Sequence, residues 1–429
     1  MIARARAACK MSVPNARLLV PRKSVSGGLA SPANSAAGAA LLVKKGPPSF
    51  ITGTKEMFLG NRLYALLIFV PLAFLAEAQE LPDAVIFLVA CLAILPLAGL
   101  LGEATEQVAL HTNDTLGGLL NATFGNATEM IVCYMCLKQN LLNVVKVSLL
   151  GSILSNTLLV LGGAILAGGV VSMTSKFNQT AAQANTTLLQ ISILSLVVPA
   201  LMNSIGQLPE GGANDLELSR SISIALLCLY GLYVYFQLVT HRTIFEEAVK
   251  EGDKDEDEEE ETVYFSLWGG ILWLVVATGA IAFLSELLTG AIEGASEEVG
   301  LGKAFVGFVI IPIIGNAAEH STAIVMAAKG KMDLAFGVAL GSSTQIALFV
   351  IPFMVLVAWG MDKPLDLFFG SFETAIIFMA ALIVSHVVAD GESNWLEGVM
   401  LLVAYCIICF AFFFYTPDEA PLSASPGVE

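Results

Sequence analysis

Polarity along this chain is organised in long blocks. Eleven apolar stretches, most of them near the ~20 residues that a spanning helix needs, alternate with short polar or glycine-rich connections. They cover residues 62–77, 83–109, 116–137, 146–171, 182–203, 217–240, 264–286, 301–328, 333–358, 370–389 and 394–415. Strand-type alternation over ten-residue segments is absent, which argues against an outer-membrane barrel. The pattern predicts an all-α polytopic membrane protein with eleven transmembrane helices. Trp268, Trp359 and Trp395 fall at segment ends, where aromatic belts form.

The polar positions inside the blocks repeat. Gly125-Asn126-Ala127-Thr128-Glu129 returns 190 residues later as Gly315-Asn316-Ala317-Ala318-Glu319, and the same spacing relates Gly151-Ser152 to Gly341-Ser342 and Glu103 to Glu293. A carboxylate in hydrocarbon costs at least ~2.5 kcal/mol, so two kept at equivalent points read as a site. With five segments per repeat, the second repeat starts on the opposite face from the first. The expected architecture is one leading helix followed by two inverted five-helix repeats, the arrangement of many secondary transporters. By residue number this divides the chain into a basic tail (1–55), a leading helix (56–80), a first repeat (81–241), a linker (242–262), a second repeat (263–416) and a short C-terminal tail (417–429).

Composition supports the membrane reading: 56% of the 429 residues are hydrophobic, 14% are charged, and mean hydropathy is +0.77. The net charge of −16 hides two opposed segments. Residues 1–55 carry nine Lys or Arg and no acid, which favours a cytoplasmic N-terminus. The same composition fits either a disordered regulatory tail or an organellar transit peptide. Residues 246–261 form a dense acidic run, which repels itself and stays solvated. With six spans before it, that linker is expected in the cytosol, as a plain tether or as a weak attractor of cations.

Each Gly-Asn-x-x-Glu element combines a residue that permits close helix approach (Gly125, Gly315), an amide oxygen and donors (Asn126, Asn316), and a carboxylate (Glu129, Glu319). Pro312 is expected to loosen the second element and free backbone carbonyls. Oxygen-only ligation suits a hard cation, and Ca²⁺ takes ~6–8 such ligands. Two carboxylates balance one Ca²⁺ as well as they balance two protons, which is the simplest physical basis for antiport. Ser152, Ser155 and Asn156 are expected to face the first element; Ser342 to Gln345 are expected to face the second. Single Ser and Thr residues in spans serve helix-to-helix hydrogen bonding by default, whereas Asn156 and Gln345 cost more to bury and are assigned to the site.

Glu103 and Glu106 at i, i+3, and Glu286 and Glu293 at i, i+7, share helix faces near segment ends. They are candidates for a cation vestibule or proton gate, with solvated helix ends as the alternative. His320 lies about 100° round the helix from Glu319, so the two cannot address one ion. Its default role is packing, with proton sensing as the alternative. Cys133/Cys136 and Cys406/Cys409 are CxxC pairs at helical spacing, read as packing residues rather than a zinc site. The Asn-x-Thr triplets at Asn121 and Asn126 lie within a span and so cannot be glycosylated there. No HExxH or GxSxG motif supports an intramembrane hydrolase, and no enzyme activity is expected.

The elements from Gly117 to Glu129, from Gly315 to His320 and from Asp390 to Gly398 closely resemble those of the cation/proton exchanger (CAX) family of Ca²⁺/H⁺ antiporters. The resemblance covers residues 60–418, with the acidic linker in its expected place. It implies an eleven-span fold of the calcium/cation antiporter superfamily. It also implies alternate carriage of Ca²⁺ and H⁺ by Glu129 and Glu319, with uptake into an acidic, vacuole-like compartment. Thr128 stands where an aliphatic residue is common, adding a hydroxyl beside the site. Ca²⁺, H⁺ and the lipid membrane are the expected partners; no nucleic acid and no cofactor is expected. Exchange of Mn²⁺ or Cd²⁺, Na⁺-coupled Ca²⁺ exchange, and a chloroplast or mitochondrial envelope location are the alternatives.

Overall fold

The computed structural model describes residues 49–60, 62–207, 212–242, 244 and 263–414. The expected tail over residues 1–48, the acidic linker from 245 to 262 and the C-terminal tail lie outside the described residues. The chain opens with α1 (Phe50–Gly60) and α2 (Arg62–Ala78). Next come α3 (Asp83–Ala109), α4 (Asp114–Phe124), α5 (Ala127–Lys138), α6 (Leu142–Val171), α7 (Gln179–Ser204) and α8 (Ala213–Thr240). Beyond the linker follow α9 (Leu267–Val299), α10 (Lys303–Gly315), α11 (Ala317–Ala328), α12 (Met332–Gly360), α13 (Ser371–Val387) and α14 (Trp395–Phe414).

Among the described residues, seven helices are long and apolar enough to cross a membrane, or nine if two bent pairs each count as one span. The protein is thus an all-helical, polytopic membrane protein. The remaining expected spans differ in form. Residues 114–138 are split into α4 and α5 at Gly125-Asn126, and α13 has 17 residues. The tail boundary at residue 55 is also corrected, because α1 already begins at Phe50. The reason is a docking contact: Phe50 stacks on Trp273 at 6.3 Å, and Trp273 Nε1 donates to Thr54 Oγ1 at 3.3 Å.

Helix starts follow local chemistry. Asn113, Asn178 and Ser266 accept backbone N–H groups at the starts of α4, α7 and α9. Asn394 does so for α14, while Glu397 reaches back to accept the Asn394 N–H at 3.1 Å. Gly300 ends α9 in the left-handed conformation, φ 72°.

Helices α3 and α9 pack along each other and hold α5 beside them. The C-terminal half of α6 packs against α11 and α14. Glycine makes that last contact possible: a Cβ at Gly398 would lie 2.5 Å from Leu166 N, and one at Gly169 2.7 Å from Trp395 Cα. Helix α6, with 30 residues, is ~45 Å long, so contacts at its two ends mark opposite ends of the bundle. Beyond its C-terminus β1 (Ser175–Lys176) pairs with β2 (Glu392–Ser393). Near its N-terminus Lys146 Nζ donates to Asp366 Oδ1 at 2.6 Å and to Phe368 O at 2.8 Å. Both charged side chains are buried, and they tie α6 to the α12–α13 connection.

Removing one partner of a buried ion pair strands the other charge. Lys146→Ala and Asp366→Ala are each expected to lower stability by roughly 3–5 kcal/mol. The paired variant should lose less than the sum, as measured by thermal unfolding in detergent.

Candidate functional site

Both Gly-Asn-x-x-Glu elements interrupt helices. Asn126 stands between α4 and α5, and Asn316 between α10 and α11, which meet at a 55° bend. Glu129 and Glu319 therefore fall in the first turns of α5 and α11. Upstream of the second break, Pro312 follows a wide π-type turn at Val306–Ile310, consistent with its missing N–H. Similar wide turns widen α6 at Ser155–Val160 and α12 at Ile346–Val350, and these nearly coincide after the 190-residue shift.

The two breaks are held by α6 and α12, in crossed fashion. Asn126 Nδ2 donates to Gln345 Oε1 at 2.8 Å, and Ser342 Oγ donates to Asn126 Oδ1 at 3.2 Å. In the other repeat Asn316 Nδ2 donates to the Ser152 carbonyl at 3.4 Å. The Asn126–Ser342 and Asn316–Ser152 contacts are equivalent under the 190-residue shift. Asn156 Nδ2 joins the first of these contacts by donating to Ser342 Oγ at 3.0 Å. Ser152 faces the first element as expected, lining a cavity beside Glu129, while its carbonyl also accepts from the second. The expected facing of Ser342 and Gln345 is corrected, since both bond to Asn126 of the first element. The cause is geometric, because each Asn reaches across to the other repeat's serine.

Three of the four carboxylate oxygens are buried without a donor. Both oxygens of Glu129, Oε2 of Glu319, Oδ1 of Asn156 and Oδ1 of Asn316 are buried without a hydrogen-bond partner. Glu319 lies within electrostatic reach of Glu129. Beside Glu129 is a cavity leaving about 20 Å³ to the centre of a water-sized particle. Its polar lining comes from Thr128, Glu129, Cys133, Ser148 and Ser152, and its other walls are mainly Ile and Leu. Gly315 borders it, and a Cβ there would sit 3.3 Å from Glu129 Oε1. Gly125 has a different role: a Cβ there would meet only Asn121 O of its own segment, at 2.8 Å. The close approach in the first repeat is made by Gly151, where a Cβ would fall 2.1 Å from Phe308 O. Among the described residues, no three His, Cys, Asp or Glu side chains cluster as a metal site, so any ion held here relies on amide, hydroxyl and backbone oxygens as well.

The other candidates lie away from this centre. Glu286 pairs with Lys138 at 2.7 Å, and Glu293 with Lys303 at 2.6 Å, both exposed. Glu103 is half-buried beside Tyr64 of α2, and Glu106 is exposed near the end of α3. His320 Nδ1 contacts Asn316 O at 2.5 Å and Nε2 contacts Ser155 Oγ at 3.5 Å, so its ring braces the second break. Cys133 and Ser148 were missed as lining residues: neither falls in a repeated motif, though Cys133 follows Glu129 at i+4 on the same helix face. Lys146 was missed although a charge within an apolar segment is itself a signal.

The sequence profile of the sodium/calcium exchanger protein family matches residues 83–239 and 269–414, both repeats and neither the linker nor the tail. The chain belongs to this family. Within it, the chain falls among the cation/proton exchangers. It is 43% identical to vacuolar cation/proton exchanger 3 of Oryza sativa, over 84% of this chain and 87% of the relative. It is 42% identical to the Ca²⁺/H⁺ antiporter of Aphanothece halophytica, over 82% and 96%. The solved structure of native YfkE superposes with a TM-score of 0.70 at 35% identity, covering 82% of this chain and all of that one. The H⁺/Ca²⁺ exchanger CAX structure, at 14% identity and a TM-score of 0.64, shares the fold over 84% of this chain and 93% of its own.

In this family member the Asn126 amide satisfies partners on both sides. Asn126→Ala strands Gln345 Oε1 and is expected to cost about 1–3 kcal/mol of stability. Asn316→Ala, which loses one longer bond, should cost less; paired thermal unfolding curves in detergent check the order.

Proposed function

We propose that this chain exchanges Ca²⁺ for H⁺ across a membrane, moving cytosolic Ca²⁺ into an acidic compartment of vacuolar type. The observation that carries the proposal is the set of buried acceptor oxygens without donors, centred on Glu129 and Glu319. A buried carboxylate with no donor is strongly unfavourable as a bare anion. Binding a divalent cation or accepting protons relieves that cost, and both compete for the same oxygens. The names of the relatives, a vacuolar cation/proton exchanger and a Ca²⁺/H⁺ antiporter, support the same pair of substrates.

On this reading the chain crosses the membrane eleven times. The bent or broken segments α4–α5 and α10–α11 each form one span, and α2 and α13 are spans in their own right. The repeats are then inverted, and the crossed Asn–Ser contacts lie about a pseudo-two-fold axis in the membrane plane. Ca²⁺ enters from the cytosol, bound by Glu129, Glu319 and neighbouring amide and backbone oxygens. A shift of the repeats opens the site to the acidic side, where protons neutralise the carboxylates and Ca²⁺ leaves. The protons return as the cycle resets, and the pH gradient drives net uptake.

Radiolabelled Ca²⁺ uptake into sealed, acid-inside vesicles in Na⁺-free buffer tests the proposal. Uphill uptake should collapse when a protonophore dissipates the gradient. Uptake indifferent to the gradient would mean a channel, and uptake only with an opposing Na⁺ gradient would mean a Na⁺-coupled exchanger. Glu129→Gln and Glu319→Gln should each reduce exchange to background while the protein remains folded and inserted; substantial transport by either variant would remove the mechanism.

A further inference from the structure

Between the first turns of α7 and the last turns of α8 lies a crevice of about 560 Å³. Its apolar lining comes from Ala184 and Leu188 of α7 and from Leu229, Leu232 and Phe236 of α8. Gln183, Thr187 and Tyr233 also line it, and each is already engaged within the protein. Gln183 Nε2 donates to Ala389 O at 3.4 Å, Thr187 Oγ1 to Gln183 O at 2.8 Å, and the Tyr233 hydroxyl to Asn185 Oδ1 at 2.8 Å. Asn185 is itself fixed, because its carbonyl accepts from Thr344 Oγ1 of α12 at 3.1 Å. The rear wall is thus a junction of three helices. At the outer end Asn178 Nδ2 donates to Ile244 O at 3.0 Å and ties the two helices together, so the way in is sideways, from the bilayer. There His241 stacks on Phe236 with ring centroids 4.1 Å apart, and the exposed Arg242 follows it in the chain.

We infer that this crevice holds one acyl chain of a membrane phospholipid, whose phosphate is met by Arg242 at the crevice mouth. Both helices are apolar enough to span a membrane, so the opening between them faces hydrocarbon. Because the polar groups in its walls already have partners, water gains little inside, and an apolar tail displaces it favourably. Size favours a single chain over a neighbouring protein. Residues 180–188 of α7 span ~12 Å, and a helix ~10 Å across fills roughly 900 Å³ over that length. The crevice is smaller than that, so a span from a second copy does not enter it. Arginine then supplies the polar half of the site, since its guanidinium matches a phosphate group. Glu246 and Glu247 come soon after Arg242 in the chain, which favours a headgroup with no further negative charge, such as that of phosphatidylcholine.

The full-length protein in detergent is photolabelled with a phosphatidylcholine that carries a diazirine on one acyl chain, and the labelled residues are mapped by mass spectrometry. Labelling should saturate, be competed by unlabelled phosphatidylcholine, and fall on Leu188, Leu229, Leu232 and Phe236. Ala184→Trp and Leu232→Trp, which fill the crevice, should each abolish the saturable labelling. Leu194→Trp, on an exposed part of α7 outside the crevice, should leave it intact. Arg242→Gln should raise the half-saturating concentration of the phosphatidylcholine probe about fivefold and leave that of a diazirine diacylglycerol, which has no phosphate, unchanged. Labelling that never saturates and spreads over all exposed apolar positions of α7 and α8 would mean annular lipid only, and overturns the inference. So does saturable labelling that both crevice-filling variants retain, or crosslinking of two copies through α8 with no lipid label in the crevice. An equal response of the two probes to Arg242→Gln overturns the phosphate contact.

Discussion

The constraint on which this structure turns is the burial of carboxylate oxygens that no donor reaches. In an apolar interior an unpaired charge is far more expensive than an unpaired amide, so Glu129 cannot sit as a bare anion among Ile and Leu walls. The fold removes the ordinary remedies. Among the described residues no lysine or arginine forms an ion pair with either glutamate, and the buried Lys146 is engaged elsewhere, with Asp366. The neighbouring amides spend their N–H groups on one another's supports, leaving oxygens facing inward. What remains is a centre of acceptors, suited to a cation or to protons.

Maintaining that centre explains several local departures from regular helix. The breaks at Asn126 and Asn316 bring each glutamate to the start of a new helix and free the preceding turn from continuous hydrogen bonding. The wide turns in α6 and α12 sit beside the breaks, where an extra residue per turn re-aims side chains toward the middle of the bundle. Glycines 151 and 315 allow the flanking segments to approach without a side chain filling the space.

Much of this was legible in the chain because burial of charge and amide within apolar blocks is rare enough to mark position. The 190-residue repeat identified Glu129, Glu319, both asparagines and the two serines, and the structure brings each asparagine onto the other repeat's serine. The pairing between repeats was not legible, since sequence spacing says which residues are equivalent but not which ones meet. Gly125 illustrates a related limit: its motif matches that of Gly315, yet only Gly315 borders the other repeat's glutamate. The start of α1 was hidden by composition. Its anchoring aromatic, Trp273, lies far along the chain, and no local periodicity announces that contact.

The crossed asparagine contacts also bear on timing. If each break were held by its own repeat, the two halves of the centre could loosen one after the other. Here Asn126 is held by α12 and Asn316 by α6, so relative displacement of the halves strains both anchorages in the same instant. Such an arrangement works like a clutch with two plates on one shaft. It disfavours a half-released intermediate, the species through which an ion would slip without its counter-ion.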